Sequence, residues 1–207
     1  MSQKAVQQVK EADIVLQAAD PIPFPLPAIG LEAVIAGGFL GIEKTDWVFP
    51  GLRERIGAVL RNCPVERLID GHAGARPYRV APVSTAPSTR LLQACGVAMG
   101  LAENESSENE HVLCFVGQGA ASTGAFYEAL NLAGLHQLNL IILAHRRDLS
   151  AAESPLAPQV SGDLASKAEA FGLQSTQVDG TSSAAVKKAV TAARKTGGPH
   201  LIEALLD

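Results

Sequence analysis

Short apolar runs alternate with stretches of helical spacing through the second half of the chain. Four segments are typical of strands buried in a sheet: HVLCFV (111–116), LNLIILA (138–144), QSTQV (174–178) and HLIEAL (200–205). The residues between them predict helices near 122–137 and 163–172, and a third one that Ser182 or Ser183 caps and Gly197 ends. Strands that alternate with helices need crossover connections, so the pattern predicts an α/β fold with a parallel sheet and helices on both faces.

The first half predicts an arm followed by the start of one domain. Residues 1–20 are polar with helical character, and four prolines within 21–27 exclude a helix there. We therefore expect an N-terminal arm and Pro-rich lead-in over 1–24 and a single domain over 25–207. Within that domain the pattern predicts the following elements in order: a helix ending near Gly37, helical spacing over 52–63, a short helix after Pro64, an irregular loop over 70–90 and a helix from Leu91.

Composition and charge narrow the class of protein. Hydrophobic residues make up 47% of the 207 residues and aromatic ones only 4%, so small aliphatic side chains must build the core. The net charge of −4 argues against a nucleic-acid partner. No apolar run approaches the roughly 18 residues of a membrane span, and the N-terminus lacks the apolar stretch of a signal peptide. We expect a cytoplasmic protein with three reduced cysteines and no membrane association.

A glycine-rich turn follows the first predicted strand. Gly117, Gln118 and Gly119 lie where open parallel sheets bind ligands, and a helix N-terminus just after them favours an anion. A tight turn that binds nothing explains the same residues. A dinucleotide site is disfavoured, because Ser122 stands where a third glycine or alanine is needed and the acidic residue expected about 20 positions later is missing.

Several collinear segments together resemble one family. The stretch GQGAASTGAFYEALNLAGLHQLNLIIL (117–143) resembles the thiamin diphosphate segment of the alpha subunit of 2-oxo acid dehydrogenases, the pyruvate and branched-chain decarboxylase component. The resemblance continues in IGLEAV (29–34), TDWVFPGLRERIGAVLRNCPVERLI (45–69), VDG (178–180) and GPHLIEAL (198–205). It covers about residues 25–206. It implies the three-layer thiamin diphosphate-binding fold, in agreement with the predicted parallel sheet.

The chain departs from the family pattern where the resemblance implies a metal site. In the family, the Asp of Gly-Asp-Gly and the second Asn of an Asn-Asn pair ligate the metal that holds the cofactor diphosphate. Gln118 stands at the first position, and Arg146 and Arg147 stand at the Asn pair. Because arginine has no acceptor atom and carries a positive charge, magnesium is not expected here. Thiamin diphosphate is expected only if an anion site survives without the metal.

Other family positions have changed as well. The family's Tyr-Arg pair, which contacts the diphosphate, is Leu52-Arg53 here, and no histidine occurs before IGLEAV. The family's active-site loop is expected to be compressed into 72–90, where His72 is the only histidine. No chemical role is expected for the remaining histidines, which are His111, His136, His145 and His200. We also expect the family's N-terminal helices and the tail beyond LIEAL to be missing, and with them part of the catalytic apparatus.

One hypothesis keeps an anion site without a metal. Arg146 and Arg147 could bind a phosphate directly through charge-assisted hydrogen bonds, but a pair of solvated loop arginines or an interface ion pair is the favoured explanation. No catalytic residue is assigned. The candidate cofactor-binding residues, conditional on such a site, are Gly117, Gln118, Gly119, Ala120, Arg53 and Arg147.

Three functions stay open. The first is a degenerate alpha-subunit-like protein that has lost metal-dependent cofactor binding and has a non-catalytic or regulatory role. The second is an active 2-oxo acid dehydrogenase subunit whose beta-type partner supplies the activating glutamate, and the third is a metal-free binder of another phosphorylated ligand. The resemblance implies a homodimer or a complex with a beta-type subunit, with Ala133 and Gly134 on helix 122–137 allowing close packing.

Overall fold

A computed structural model describes residues 2–19, 26–69, 76–84, 86, 89–104, 107, 109–147 and 162–206. Its centre is a sheet of five parallel strands in the order β1-β2-β3-β5-β4. The strands are β1 (Trp47–Phe49), β2 (Val112–Gly117), β3 (Leu140–Arg147), β4 (Gln174–Asp179) and β5 (His200–Leu206). The parallel sheet predicted from the apolar runs is confirmed.

Helices cover both faces of the sheet. The α-helices are α1 (Ser2–Ala18), α2 (Glu32–Gly41), α3 (Glu66–Ile69), α4 (Thr89–Ala102), α5 (Gln118–Ala121), α6 (Gly124–His136), α7 (Leu164–Ala170) and α8 (Ser183–Thr196). Two 3-10 helices lie at Glu54–Arg61 and Arg76–Tyr78. Among the described residues, none of the helices has both the length and the apolar character needed to cross a bilayer.

The strands divide the core into two clusters because their side chains alternate between the faces. Leu113 and Phe115 of β2 point toward a cluster built with α1, α2 and α8. Cys114 and Val116 of the same strand point toward a cluster built with α4, α6 and α7. This arrangement of helix, sheet and helix confirms the three-layer α/β fold.

The segment 47–63 differs from the prediction, which gave helical spacing over 52–63 and no strand before it. Trp47–Phe49 form β1, which pairs with the first half of β2, and the residues after it form a 3-10 helix rather than an α-helix. A strand of three residues is too short to show an alternation of apolar and polar positions. The prediction for this segment therefore rested on the helical spacing of the residues after it. Asn62 ends the 3-10 helix in the left-handed conformation at φ 64°.

A buried carboxylate fixes the start of this segment. Asp46 is fully buried, and its two oxygens accept hydrogen bonds from the backbone N–H groups of Glu43 and His111 at 2.8 and 2.9 Å. The guanidinium of Arg194 donates to the same carboxylate at 2.6 and 3.1 Å. Asp46 thereby joins the starts of β1 and β2 to the end of α8, and every hydrogen bond it accepts offsets its desolvation.

The N-terminal helix is packed against the domain. Val9, Ala12 and Leu16 of α1 belong to the same buried cluster as α2 and the 3-10 helix at Glu54–Arg61. The carboxylate of Asp13 also accepts a hydrogen bond from the backbone N–H of Ala28 at 3.0 Å. The division of the chain at residue 24 stays a prediction, but the helix before it contributes to the core.

Two expectations about single residues change. Ala133 is fully buried inside the domain, and a Cβ atom at Gly134 would overlap the carbonyl oxygen of Phe171. The small residues of α6 therefore allow close packing within the chain, and they are not free for the subunit contact suggested above. His72 and the parts 70–75, 85 and 87–88 of the predicted loop 70–90 lie outside the described residues.

The three cysteines are buried and unpaired, as expected. Burial raises the pKa of Cys95 to about 11 and that of Cys114 to about 12. The pKa of Cys63 is raised by burial as well. Thiols with raised pKa values are poor nucleophiles at neutral pH, so these cysteines serve as small apolar core residues.

Candidate functional site

The carboxyl ends of β2 and β3 meet at one edge of the sheet. Parallel pairing sets Gly117 of β2 beside His145 of β3. Because side chains alternate along a strand, His145 and Arg147 point to one face, and Arg146 points to the other. This edge is where open parallel sheets bind ligands.

Two adjoining cavities open at this edge. The smaller, which we name the Arg147 cavity, has a volume of about 240 Å³. Its described lining consists of Leu31, Arg53, Gln118, His145, Arg147 and Leu206. The larger, which we name the Gly119 cavity, has a volume of about 370 Å³. It shares Arg53 and His145 with the first, and its lining adds Gly117, Gly119, Ala120, Glu54, Arg90, Gly51, Leu52, Leu26 and Ser84.

The structure therefore brings all six predicted binding residues to one place. Arg53, Gln118 and Arg147 line the Arg147 cavity, and the three residues Gly117, Gly119 and Ala120 line the Gly119 cavity. Arg53 comes from the segment after β1, so the fold joins residues that are far apart in the sequence. That these residues bind a cofactor stays a proposal.

The glycine turn owes its shape to its neighbours. A Cβ atom at Gly117 would lie 3.3 Å from Cε1 of His145, which is closer than side chains normally approach. At Gly119 a Cβ atom would meet no atom within 4 Å among the described residues, so this position faces the open cavity. Gly117 allows the two strand ends to come together, and Gly119 leaves the backbone accessible to a ligand.

Gln118 contributes an unsatisfied amide. Its side-chain nitrogen Nε2 is buried and has no hydrogen-bond partner among the described residues. A buried N–H donor without an acceptor costs on the order of 1–3 kcal/mol. Since Gln118 lines the Arg147 cavity, an acceptor bound there would remove this cost.

Arg147 reaches the cavity past a glycine. Gly30 has a φ of +79°, and a Cβ atom at this position would overlap the Arg147 guanidinium. Arg147 is half-buried and makes no ion pair with a described residue. Its positive charge is therefore not neutralised by the part of the protein that the structure describes.

Arg146 has a different role from the one hypothesised for the arginine pair. Its Nε donates to the buried carboxylate of Glu203 at 2.8 Å on the opposite face of the sheet. The second oxygen of Glu203 accepts hydrogen bonds from Gln177 and from the backbone N–H of Leu164 at 2.9 and 3.2 Å. Arg146 is thus part of a structural network, and the hypothesis that both arginines bind one phosphate is wrong for Arg146.

His145 is a site residue that the sequence did not predict, as are Glu54 and Arg90. Its Nε2 lies 2.7 Å from Oε1 of Glu54, which is only 3% exposed. Burial alone would raise the pKa of Glu54, but the hydrogen bond and charge of His145 and the charge of Arg90 outweigh it, so the pKa is lowered. Glu54 is accordingly a carboxylate at neutral pH. The one available signal was the position of His145 directly after a predicted strand, opposite the glycine turn.

The side chains at this edge do not fit a divalent metal. Magnesium takes oxygen ligands, usually including a carboxylate. Arg147 has no acceptor, Gln118 offers only a neutral amide oxygen, and Oε1 of Glu54 is hydrogen-bonded to His145. Among the described residues, no group of three or more His, Cys, Asp and Glu side chains lies close enough together to hold a metal ion.

Comparison with known proteins shows the family. The family model of the dehydrogenase E1 component matches residues 1–206. Relatives include the pyruvate dehydrogenase E1 component subunit alpha of Mycoplasma genitalium, with 27% identity over 86% of this chain and 52% of that protein. The 3-methyl-2-oxobutanoate dehydrogenase subunit alpha of Mycobacterium tuberculosis is 30% identical over 92% of this chain and 54% of its own length.

A mammalian relative extends the comparison. The mitochondrial 2-oxoisovalerate dehydrogenase subunit alpha of Mus musculus is 29% identical over 89% of this chain and 46% of that protein. The chain thus spans about half the length of the curated relatives it matches. These matches confirm the resemblance to the alpha subunit, and the chain belongs to the dehydrogenase E1 component family.

Proposed function

We propose that this chain is an alpha-type member of the dehydrogenase E1 family that has lost metal-dependent binding of thiamin diphosphate. We propose further that its role is non-catalytic, in regulation or assembly. The observation that carries the proposal is the Arg147 guanidinium in the cavity where, by resemblance, an asparagine would ligate the metal. Arg53 adds a second positive charge to the same cavity.

Electrostatics supports the loss of the metal. Two unit charges at 4 Å interact with about 4 kcal/mol at the effective dielectric of a protein surface, and a divalent ion doubles this repulsion. Gln118 cannot offset it, because an amide supplies no negative charge. A cation at the family's metal position would therefore be repelled by Arg147, and the described lining of the Arg147 cavity has no carboxylate to attract it.

The partner is proposed from the relatives, which are named as alpha subunits of 2-oxo acid dehydrogenases. We propose a homodimer or a hetero-oligomer with a beta-type subunit. Exposed apolar side chains support a subunit contact, since Leu135 of α6 is 71% exposed and Met99 of α4 is 36% exposed. Light scattering of the chain alone and mixed with a beta-type subunit tests this, and a monomer in both samples contradicts it.

The second candidate is an active alpha-type subunit. It is favoured by the family match over 1–206 and by the presence of Arg53 at the site. In that case the beta-type subunit would supply the activating glutamate, and Gln118 would be a tolerated change.

Decarboxylation distinguishes the two candidates. The chain is mixed with a beta-type subunit, thiamin diphosphate and magnesium, and reduction of a dye by pyruvate or a branched-chain 2-oxo acid is followed. The non-catalytic role predicts no dye reduction above that of the beta-type subunit alone. Turnover that depends on this chain would contradict it and support the active subunit.

A further inference from the structure

We infer that the Arg147 cavity binds a phosphate group directly, without a metal ion, and that its ligand is a small phosphate or diphosphate ester. This inference rests on the proposed function in one respect, since it assigns a ligand to the site from which the metal has been lost. It differs from the arginine-pair hypothesis in its residues, which are Arg53, Gln118 and Arg147.

The first support is the charge of the cavity. The whole chain carries a net charge of −4, yet the described lining of the Arg147 cavity holds two arginines and no carboxylate. Neither Arg53 nor Arg147 forms an ion pair with a described residue. Two guanidinium groups from separate segments face one cavity, and neither is paired with a carboxylate of the described residues. Such an arrangement favours an anion, and the planar donors match phosphate oxygens.

The second support is the amide of Gln118. Its buried Nε2 lacks an acceptor among the described residues, although buried donors are almost always satisfied in folded proteins. Because Gln118 lines the cavity, a phosphate oxygen there would be that acceptor once the side chain turns its amide toward it. The site therefore offers a neutral donor besides the two charged ones, which suits a tetrahedral anion with several oxygens.

The third support is the way in which Arg147 is positioned. Gly30, in the left-handed conformation at φ +79°, leaves room for the guanidinium that any Cβ atom would occupy. Leu31 and Leu206 line the same cavity and are almost fully buried. Apolar walls lower the local dielectric, which strengthens the attraction between the arginines and an anion.

The adjoining Gly119 cavity indicates a ligand with an organic part. It has about 370 Å³ of space and shares Arg53 and His145 with the Arg147 cavity. An ester whose phosphate lies between Arg53 and Arg147 thus has room for its remaining atoms beside Gly119. The Glu54 carboxylate, which is hydrogen-bonded to His145, lines the Gly119 cavity and is not part of the described lining of the Arg147 cavity.

Calorimetric titration tests the inference. Inorganic phosphate, pyrophosphate and thiamin diphosphate are titrated into the full chain, first with EDTA and then with magnesium. The inference predicts saturable binding of pyrophosphate in EDTA. Arg53→Met and Arg147→Met are each expected to weaken it by about tenfold or more, the loss typical of one charge-assisted hydrogen bond. Arg67→Met, at an exposed position outside both cavities, serves as the matched control with unchanged affinity.

The outcomes separate this inference from the proposed function. No binding of any of the three anions in EDTA, or equal affinity of Arg53→Met and wild type, overturns the inference. Because Arg53 is exposed, we expect its replacement to leave the fold intact, and a urea denaturation of Arg53→Met checks that a lost affinity does not come from unfolding. Binding of thiamin diphosphate only with magnesium overturns the proposed function and this inference together, whereas dye-linked turnover without magnesium overturns the proposed function alone.

Discussion

Nε2 of His145 lies 2.7 Å from Oε1 of Glu54, so the end of β3 is joined to the 3-10 helix that follows β1. The guanidinium of Arg90 lies beside the same carboxylate near Gly51, and its Nε donates to the carbonyl oxygen of Phe115 at 3.0 Å. This buried ionic group forms the wall between the sheet and the Gly119 cavity. Because Arg53 directly precedes Glu54 in the chain, this buried group also positions the backbone of Arg53.

Glu54→Gln removes the negative charge and keeps the size of the side chain. His145 and Arg90 would then face a neutral amide in a buried place, and breaking such a pair costs about 3 kcal/mol. We expect the free energy of unfolding to fall by roughly that amount in urea denaturation. Glu128→Gln on the exposed side of α6 is the control and should leave stability unchanged. Equal urea midpoints for Glu54→Gln and wild type would refute the structural role of this carboxylate.

Two buried histidines predict a pH dependence of stability. Burial lowers the pKa of His111 and of His200 below the ordinary value of about 6.5. The unfolded chain therefore protonates these histidines at a higher pH than the folded chain does. The stability that the neutral histidines contribute is present above about pH 6.5 and is lost as the pH falls through their folded pKa values. We expect a lower urea midpoint at pH 5.5 than at pH 7.5.

A variant assigns this effect to its source. His111→Gln should show a smaller fall between the two pH values than wild type, because one of the two depressed groups is gone. His136→Gln, at the exposed end of α6, should show the full fall. An identical fall in all three proteins would mean that His111 is not responsible.

Two glycines within helices predict opposite effects of the same substitution. At Gly134 a Cβ atom would overlap the carbonyl oxygen of Phe171, whereas at Gly96 it would meet no described atom within 4 Å. Gly134→Ala should cost about 1–3 kcal/mol through overpacking. Gly96→Ala should gain about 0.5–1 kcal/mol through helix propensity. Thermal melts of the two variants compare the signs directly, and stabilisation by both would contradict the close contact at Gly134.

Gln118→Asp combined with Arg147→Asn should create a metal site. The pair supplies a carboxylate and an amide oxygen and removes one positive charge, which is the donor chemistry that hard divalent cations prefer. We expect the double variant to bind Mn²⁺ at least about tenfold more tightly than wild type, as measured by electron paramagnetic resonance. The single variant Gln118→Asp is the control, because Arg147 still repels the ion. Unchanged Mn²⁺ affinity in the double variant would mean that these two positions do not decide metal binding.

The sheet could be predicted from the sequence because β2 and β3 are buried on both faces and read as unbroken apolar runs. β1 could not be predicted, since three residues are too few to show a repeating pattern of apolar positions. The end of β3 shows a further limit. The alignment with the family segment predicted both Arg146 and Arg147 at the position of the Asn pair. Only the alternation of side chains along β3 shows that Arg147 lines the cavity while Arg146 pairs with Glu203 on the other face.

The contact between Glu54 and His145 could not be predicted from the sequence, and the reason is physical. Glu54 and His145 are separated by 91 positions, and neither residue has a spacing to its neighbours that indicates a partner. Only the parallel pairing of β1, β2 and β3 brings their ends together. The glycine turn could be predicted, because Gly117 and Gly119 lack side chains and lie at the end of a buried strand, where a ligand can approach the backbone.

The magnesium dependence of thiamin diphosphate affinity tests the central claim most directly. The full chain is titrated calorimetrically with thiamin diphosphate in excess magnesium and again in EDTA. Because Arg147 and Gln118 stand where metal ligands would have to be, the heats should be the same in both conditions. An affinity about tenfold or more tighter with magnesium would contradict the claim that this member of the dehydrogenase E1 family has lost its metal-dependent site.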